Sequence, residues 1–412
     1  MNFPPGGLPL AGVRVLDFSH AAAGPYATMY LADMGAEVIK VEKPGRGDGA
    51  RYMGEPMLGP TDSDYYLSLN RNKKSALIDL STEAGVDLAK QLAAQSDVVA
   101  QNFRPGVMDR LGLGFETLRH LRPGLIYCSI SAFGPTGPWK DRPANDIIMQ
   151  SISGLMGITG EVDGGPVRIG APISDYATGL YALAGILAAL YARADHPEGQ
   201  HVEVAMLDAA LAMMCNYIPS VSTLGKKITR VGRGHAQIVP YQGFLCSDGE
   251  YVMVGAFTQG FWRRLCHAVG HDEWIEDPRF LTNAARLQNR QALMADLERI
   301  FLTKTRAEWV RILEEADVPN SPVLELHDAI KSEQALHNRI VHRLEDGGRP
   351  VDVVRSPIQV EQWPGSAERT APAMGRDTRE VLRDVLKMDE QTVAALREAG
   401  VIALAEEGSR DR

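Results

Sequence analysis

Asp175 stands where a carboxylate can act as a nucleophile. It opens a long apolar run, and Ser174 before it has the side chain of a helix N-cap. Amide donors and the positive end of the helix dipole would hold such a carboxylate ionised, the form that attacks an electrophilic carbon. Aspartate in a first helical turn also serves stability alone, so residue type leaves both readings open. Basic residues gather in two places. Lys40, Lys43, Arg46 and Arg51 follow one strand-like run, and Arg71, Lys73 and Lys74 precede another. Neighbouring strand ends in one parallel sheet could set these cations around a polyphosphate. Solvated charges interspersed with Glu42, Asp48 and Glu55 are the plainer alternative. His20 falls just past the first strand, where open parallel sheets bind ligands, although single histidines are more often structural.

Other signatures exclude more than they suggest. Gly45–Ala50 spells GxGxxA after a strand, yet RYMGEPMLGP follows it with two Gly, two Pro and no helical period. A dinucleotide fingerprint has to open a helix, so this stretch reads as a flexible loop and no NAD or FAD is expected. The ten histidines form no HExxH or HxH, and neither GxSxG nor GxxxxGK[ST] occurs. No metal site is expected.

The elements that must carry these residues are legible. Gly12–Ser19 reads as a strand, Gly24-Pro25 opens a helix that stops at Gly35, and Ala36–Glu42 is a second strand. Strands at Ser75–Leu80, Asp97–Ala100 and Gly124–Ser131, with a helix at Glu83–Gln95, extend the alternation that makes a parallel sheet with helices on both faces. Gln200–Met206 adds a strand and Leu207–Asn216 a helix. The fold class is α/β: a large Rossmann-like domain over 1–217, a linker at 218–237, a smaller α+β domain over 238–325, a return linker at 326–365, and C-terminal helices over 366–412 that pack on the large domain. In the smaller domain, Tyr241–Cys246 and Tyr251–Ala256 flank an Asp-Gly hairpin turn, with helices at 259–269, 284–301 and 306–315.

Composition agrees with a globular chain of this build. The 412 residues suffice for two or three domains, and 45% hydrophobic with 23% charged residues excludes a disordered chain. The net charge of −9 argues against nucleic acid as a partner. Four cysteines without a CxxC pair fit a reducing cytosol, and the opening MNFPPGG lacks a secretory pattern, so a cytoplasmic location is expected. Ala177–Ala192 falls short of the roughly 20 residues that span a bilayer and reads as a buried helix, with no membrane association.

Several segments go beyond general rules. Arg14–Asp48 (RVLDFSHAAAGPYATMYLADMGAEVIKVEKPGRGD), Leu69–Leu80 (LNRNKKSALIDL), Asn102–Leu113 (NFRPGVMDRLGL), Ser131–Met156 and Ala171–Leu190 resemble class III CoA-transferases, the formyl-CoA and carnitine CoA-transferase family. The resemblance resumes at PYQGF (Pro240–Phe244), Asp277–Arg290 and VPNSPV (Val318–Val323), in order along nearly the whole chain. It implies an interlocked homodimer of ring-like subunits, a coenzyme A thioester as substrate rather than a tightly bound cofactor, and a small carboxylic acid as the other substrate. It also implies that Asp175 is the nucleophile. His20, Ala21, Ala22, Ala23, Lys43, Ile78, Asn102, Phe103, Arg104, Arg110, Asn145 and Asp146 fall on positions that contact CoA or the acyl group in that family.

Departures from the family pattern narrow the reading. The α-methylacyl-CoA racemases resemble this chain around NDIIMQ but place a histidine where Asn145 stands, and a Glu where it has Thr258. Racemisation needs groups that give and take protons on opposite faces, and Asn145 cannot titrate. Formyl-CoA transferases carry Gln at the position of Ala22 and a glycine tetrad that has no counterpart after Tyr251–Ala256. An oxalate/formate enzyme is therefore not expected. The expected activity moves CoA between a donor acyl-CoA and an acceptor acid, a short dicarboxylate such as succinate or a branched C4–C6 acid, through an anhydride and an aspartyl-CoA thioester.

Overall fold

Branched residues at alternate positions create the first strands, and signals for capping and stopping create the helices between them. In the computed structural model, which describes residues 7–346, 349–361, 363 and 369–405, the chain runs β1 (Arg14–Asp17), α1 (Ala23–Asp33), β2 (Glu37–Glu42), α2 (Asp64–Leu69), β3 (Lys74–Ile78), α3 (Glu83–Ala94) and β4 (Val98–Gln101). It continues through α4 (Val107–Arg110), α5 (Phe115–Leu121), β5 (Ile126–Ser131), α6 (Asp146–Ile152), α7 (Leu155–Ile158), α8 (Ile173–Ala192), β6 (Gln200–Ala205) and α9 (Met206–Ala212). The expected strands all form, most of them shorter than the apolar runs that announced them: β1 keeps only Arg14–Asp17 of Gly12–Ser19, while β4 is shifted by a residue from Asp97–Ala100.

Two units emerge. The larger comprises the chain up to Leu155, Ile169–Pro219 and the described residues from Gln334 on; the smaller comprises Met156–Arg168 and Ser220–Glu333. The smaller unit holds β7 (Tyr241–Leu245), β8 (Tyr251–Gly255), α10 (Gln259–Val269), α11 (Asn283–Gln288), α12 (Arg290–Phe301), α13 (Arg306–Glu315) and β9 (Asn320–Pro322). Its three strands are antiparallel, and Gly249 supplies the positive φ of the Asp-Gly turn. Phe244, Trp262, Phe301 and Trp309 centre its core. The single helix expected over 284–301 is broken at Asn289, the C-cap of α11 and N-cap of α12.

The larger unit is built on a seven-stranded sheet in the order β12-β3-β2-β1-β4-β5-β6, where β12 is Ile402–Ala403, antiparallel to β3. The remaining pairs are parallel. Period-two alternation sends Leu16, Ile39 and Val41 to a face covered by α3 and α16 (Thr378–Leu386), and Val15 and Val38 to a face covered by α1 and α8. Gly179 in α8 permits that second layer. A Cβ there would sit 2.7 Å from the Ala23 carbonyl oxygen of α1.

Three expectations need correction. The expected linker at 218–237 begins with one wide helical turn, Pro219–Thr223, and Gly234 pairs with Gln242, so most of it belongs to the smaller unit. Residues 326–365, expected as a return linker, carry the helices Leu326–Ala329 and Glu333–Asn338 and an antiparallel hairpin, Val341–Asp346 with Arg349–Val354. Leu344, Val351 and Val353 of that hairpin are buried against Ala50, Tyr66 and Leu67, so alternation of apolar residues makes it part of the larger unit's core. The helices α16 and Glu390–Glu398 belong to that unit, while residues 366–368 and 406–412 of the span expected for C-terminal helices lie outside the described residues. Finally, α8 has 20 residues rather than sixteen, long and apolar enough to cross a membrane by length and composition. Its Ala182, Leu183, Ile186 and Leu190 are buried in the core instead.

Candidate active site

The carboxyl ends of β1 to β4 enclose a cleft of about 510 Å³, at the point where the strand order reverses between β1 and β4. Phe18, His20 and Ala21 come from the turn after β1, Lys43 and Arg46 from the loop after β2, Ile78 from β3 and Phe103 from the segment after β4. The β1–α1 turn is tightly made. Ala21 adopts φ 61°, and a Cβ on Gly24 would meet Ser19 Cβ at 2.3 Å. Asn102 braces it from both sides: its Oδ1 accepts from the His20 amide (2.8 Å) and its Nδ2 donates to the His20 carbonyl (2.8 Å). Phe103 meets the imidazole edge-on at 5.4 Å.

Under this turn lies a buried ionic network that the sequence reading did not foresee. Asp48 Oδ1 accepts from the amides of Ala21 (3.1 Å) and Ala50 (2.9 Å), Oδ2 is 2.8 Å from Lys40 Nζ, and His20 Nδ1 lies 3.7 Å away. Lys40 in turn donates to the Ser19 carbonyl at 2.6 Å. Burial alone would push the Asp48 carboxyl up, but Lys40 and then His20 hold it well below the usual range. Asp17 obeys the same balance: Lys73, Lys40, Ser19 and Thr28 overcome burial and bring it to about 2. The loop expected to be flexible is therefore fixed, with Asp48 capping a short helical turn, Gly49–Tyr52.

That network reassigns the basic residues. Lys40, Arg51, Arg71 and Lys73 are buried and ion-paired with Asp48, Glu42, Asp33 and Asp17, while Lys74 reaches Glu37 and Glu380. They serve the core and not a polyphosphate. Exposed Lys43 and Arg46 have no carboxylate within 4.0 Å among the described residues and remain on the cleft wall.

Asp175 occupies the first turn of α8, as expected, but its surroundings differ from expectation. The N-cap position falls on Pro172, so Ser174 is inside the helix, and its Oγ makes no hydrogen bond among the described residues. Asp146 at the start of α6 takes over: its Oδ1 accepts from the Ser174 amide at 2.9 Å. Asp175 itself has no hydrogen bond or cationic partner among the described residues. Burial, followed by the negative charge of Asp146, pushes its carboxyl up to about 7, against the expectation that the helix end would keep it ionised. Tyr65 of α2 feels the charges of Asp175, Asp146 and Asp48, which together with its burial raise its phenol to about 12. Spacing did not single this residue out.

The structure separates the sequence-predicted ligands. His20, Ala21, Lys43, Ile78 and Phe103 line the cleft. Asn102 stands behind it, and Arg104 and Arg110 are exposed on the segment that leads into and through α4. Ala22 and Ala23 are buried, as the N-cap and first residue of α1, so their side chains are not cleft walls. Asn145 caps α6 by accepting from the Ile148 amide (3.3 Å), and Asp146 is committed to Ser174 and Gln150. Among the described residues no group of three or more His, Cys, Asp or Glu could hold a metal ion.

The larger unit thus offers two exposed cations on a parallel-sheet cleft and, at the start of α8, a carboxylate with no cationic partner among the described residues. The family model for CoA-transferase family III matches residues 10–378, and the chain belongs to that family. It is 38% identical over 396 residues to the succinyl-CoA:glutarate CoA-transferase of Mus musculus, covering 96% of this chain and 90% of that protein. Against the succinate–glutarate CoA-transferase of Agrobacterium fabrum it is 36% identical, covering 92% and 96%. A solved CAIB/BAIF family protein from Brucella suis superposes with a TM-score of 0.82 at 34% identity, covering 92% of this chain and all of that one. The chain is thus a CoA-transferase, moving CoA between an acyl-CoA and a carboxylic acid.

Proposed function

We propose that this enzyme exchanges CoA between short dicarboxylates, with succinyl-CoA and glutarate or a close analogue as the pair, and that Asp175 is its covalent nucleophile. One observation carries the mechanism: the Asp175 carboxylate is desolvated, lacks a partner among the described residues, and sits near neutrality in its ionisation. A carboxylate of pKa about 7 is still half ionised at neutral pH and more nucleophilic than an ordinary one. Its oxygen attacks the thioester carbonyl, the C–S bond breaks, and CoA leaves as thiolate with a mixed anhydride on Asp175. The thiolate attacks the aspartyl carbonyl and expels the donor acid, leaving an aspartyl-CoA thioester. The acceptor carboxylate displaces the thiolate to form a second anhydride, whose acyl carbon the thiolate then takes, restoring Asp175. Each step conserves the activated bond.

Lys43 and Arg46, with Arg104 and Arg110 nearby in sequence to the cleft-lining Phe103, supply the charge that CoA phosphates require. The names of the relatives support the dicarboxylates. Leu180, Tyr181 and Tyr191 leave an apolar outer face on α8, 45–86% exposed, which suits burial in an interlocked homodimer. The cysteine content suits the cytosol. Asn145, spent as a helix cap, gives racemisation no proton carrier.

The direct test incubates the enzyme with succinyl-CoA and hydroxylamine, followed by mass spectrometry of the peptide containing Asp175. An aspartyl hydroxamate at that residue, with CoA passing to added glutarate, is expected. Full turnover by Asp175→Ala would reject the mechanism.

A further inference from the structure

We infer that Gln150 and Asp146 form a positioning device for the Asp175 reaction: Gln150 holds the Asp146 carboxylate, which anchors the first turn of α8 and sets a like charge beside the reacting group. The inference rests on Asp175 being the nucleophile. It reassigns Asp146 from a ligand contact to a residue that acts through another.

The geometry leaves Asp146 no freedom. Gln150 is fully buried, and both ends of its amide are used. Nε2 donates to Asp146 Oδ2 at 2.7 Å, and Oε1 accepts from the Ile169 amide at 2.9 Å. The other Asp146 oxygen accepts from the Ser174 amide at 2.9 Å, next to Asp175 in sequence. A helix start has orphan amides, and here Pro172 has no side chain with which to cap them. A carboxylate from 28 residues upstream takes that place. A serine or asparagine cap would satisfy the amide without adding charge. Asp146 satisfies it and opposes ionisation at Asp175, partly cancelling the help of the helix dipole.

This arrangement favours acylation. Repulsion between the two carboxylates exists in the resting enzyme and disappears once Asp175 becomes a neutral anhydride, its charge passing to the departing thiolate. Destabilising the resting state relative to the acylated one lowers the barrier to forming it. The remaining titratable groups facing Asp175 are Tyr65 of α2 and Tyr176 of α8, the latter stacked on Tyr26 of α1 at 4.5 Å. Burial raises both Tyr65 and Tyr176, so they are neutral across the working range. Strands β5 and β6 and helix α9 contribute no titratable group that acts on Asp175 among the described residues.

The test is the pH profile of single-turnover acylation with succinyl-CoA. Wild type is expected to lose rate as pH falls through about 7. Asp146→Asn, which keeps an oxygen for the Ser174 amide and removes the charge, should move that limb down by about one unit. Gln150→Leu, which frees the carboxylate to turn towards water, should move it in the same direction by less. A merely structural role would lower the rate equally at every pH. Thermal melts identify which variants fold, and a limb unmoved within about 0.2 unit in either folded variant overturns the inference. Failure of the underlying mechanism reads out separately, as a hydroxamate absent from Asp175 in wild type.

Discussion

The larger unit buries carboxylates in two regions and treats them in opposite ways. Behind the cleft, Asp17, Glu42 and Asp48 each meet a buried cation, and all three are held below the usual carboxylate range against the pull of burial. At the start of α8, Asp175 is only half-buried and among the described residues meets another carboxylate and no cation, and it rises to about 7. Loss of water opposes ionisation in both sets, and the sign of the neighbour differs between them, although a cation does not always prevail: Asp33 beside Arg71 stays above its usual value. The first set fixes the turn that shapes the cleft. The second leaves a group with unspent reactivity.

Exchanging the features of the two regions should break the contrast in order of size. Asp175→Ala should lower kcat for CoA transfer about 10³-fold or more while the fold persists, measured with succinyl-CoA and glutarate beside a thermal melt. Removing one member of the paired set should instead cost stability. Asp17→Ala leaves Lys73 and Lys40 buried without that charge and should destabilise by about 3–5 kcal/mol in urea unfolding.

A third experiment sharpens the comparison through pH. The folded pKa of Asp175 lies above its unfolded value, so the native state binds the extra proton between about 4 and 7 and loses stability as pH rises through that window. Asp175→Asn should therefore exceed wild type at pH 8 by on the order of 2 kcal/mol and match it at pH 4. The smallest effect belongs to the cleft rim. Lys43→Ala with Arg46→Ala should raise KM for the CoA thioester about three- to tenfold with kcat held, because exposed charges contribute little each.

Much of the fold was legible from local pattern, and what was missed depends on distant pairings. Strands β1 to β5 announced themselves through Val, Ile and Leu runs, and the Asp-Gly turn placed β7 and β8. The hairpin at Val341–Val354 escaped because its apolar residues alternate with charges in a stretch that resembles linker. Two-residue β12 is too short for any period to register. At the site, composition counted seven cations near strand ends but could not tell that Lys40, Arg51, Arg71 and Lys73 are neutralised inside the core. Asp175 was found through the family resemblance. Its ionisation was misjudged because burial by distant segments, and then the charge of Asp146 from another helix, oppose it.

The pairing of Ile402 with Ile78 and Ala403 with Leu77 joins segments far apart in the chain. The edge of β3 stays open on the ribosome until the closing strand emerges, whereas almost all of the smaller unit lies within one stretch, Ser220–Glu333, already complete by then. Two residues from far along the chain thus cover the β3 edge that the parallel strands leave open.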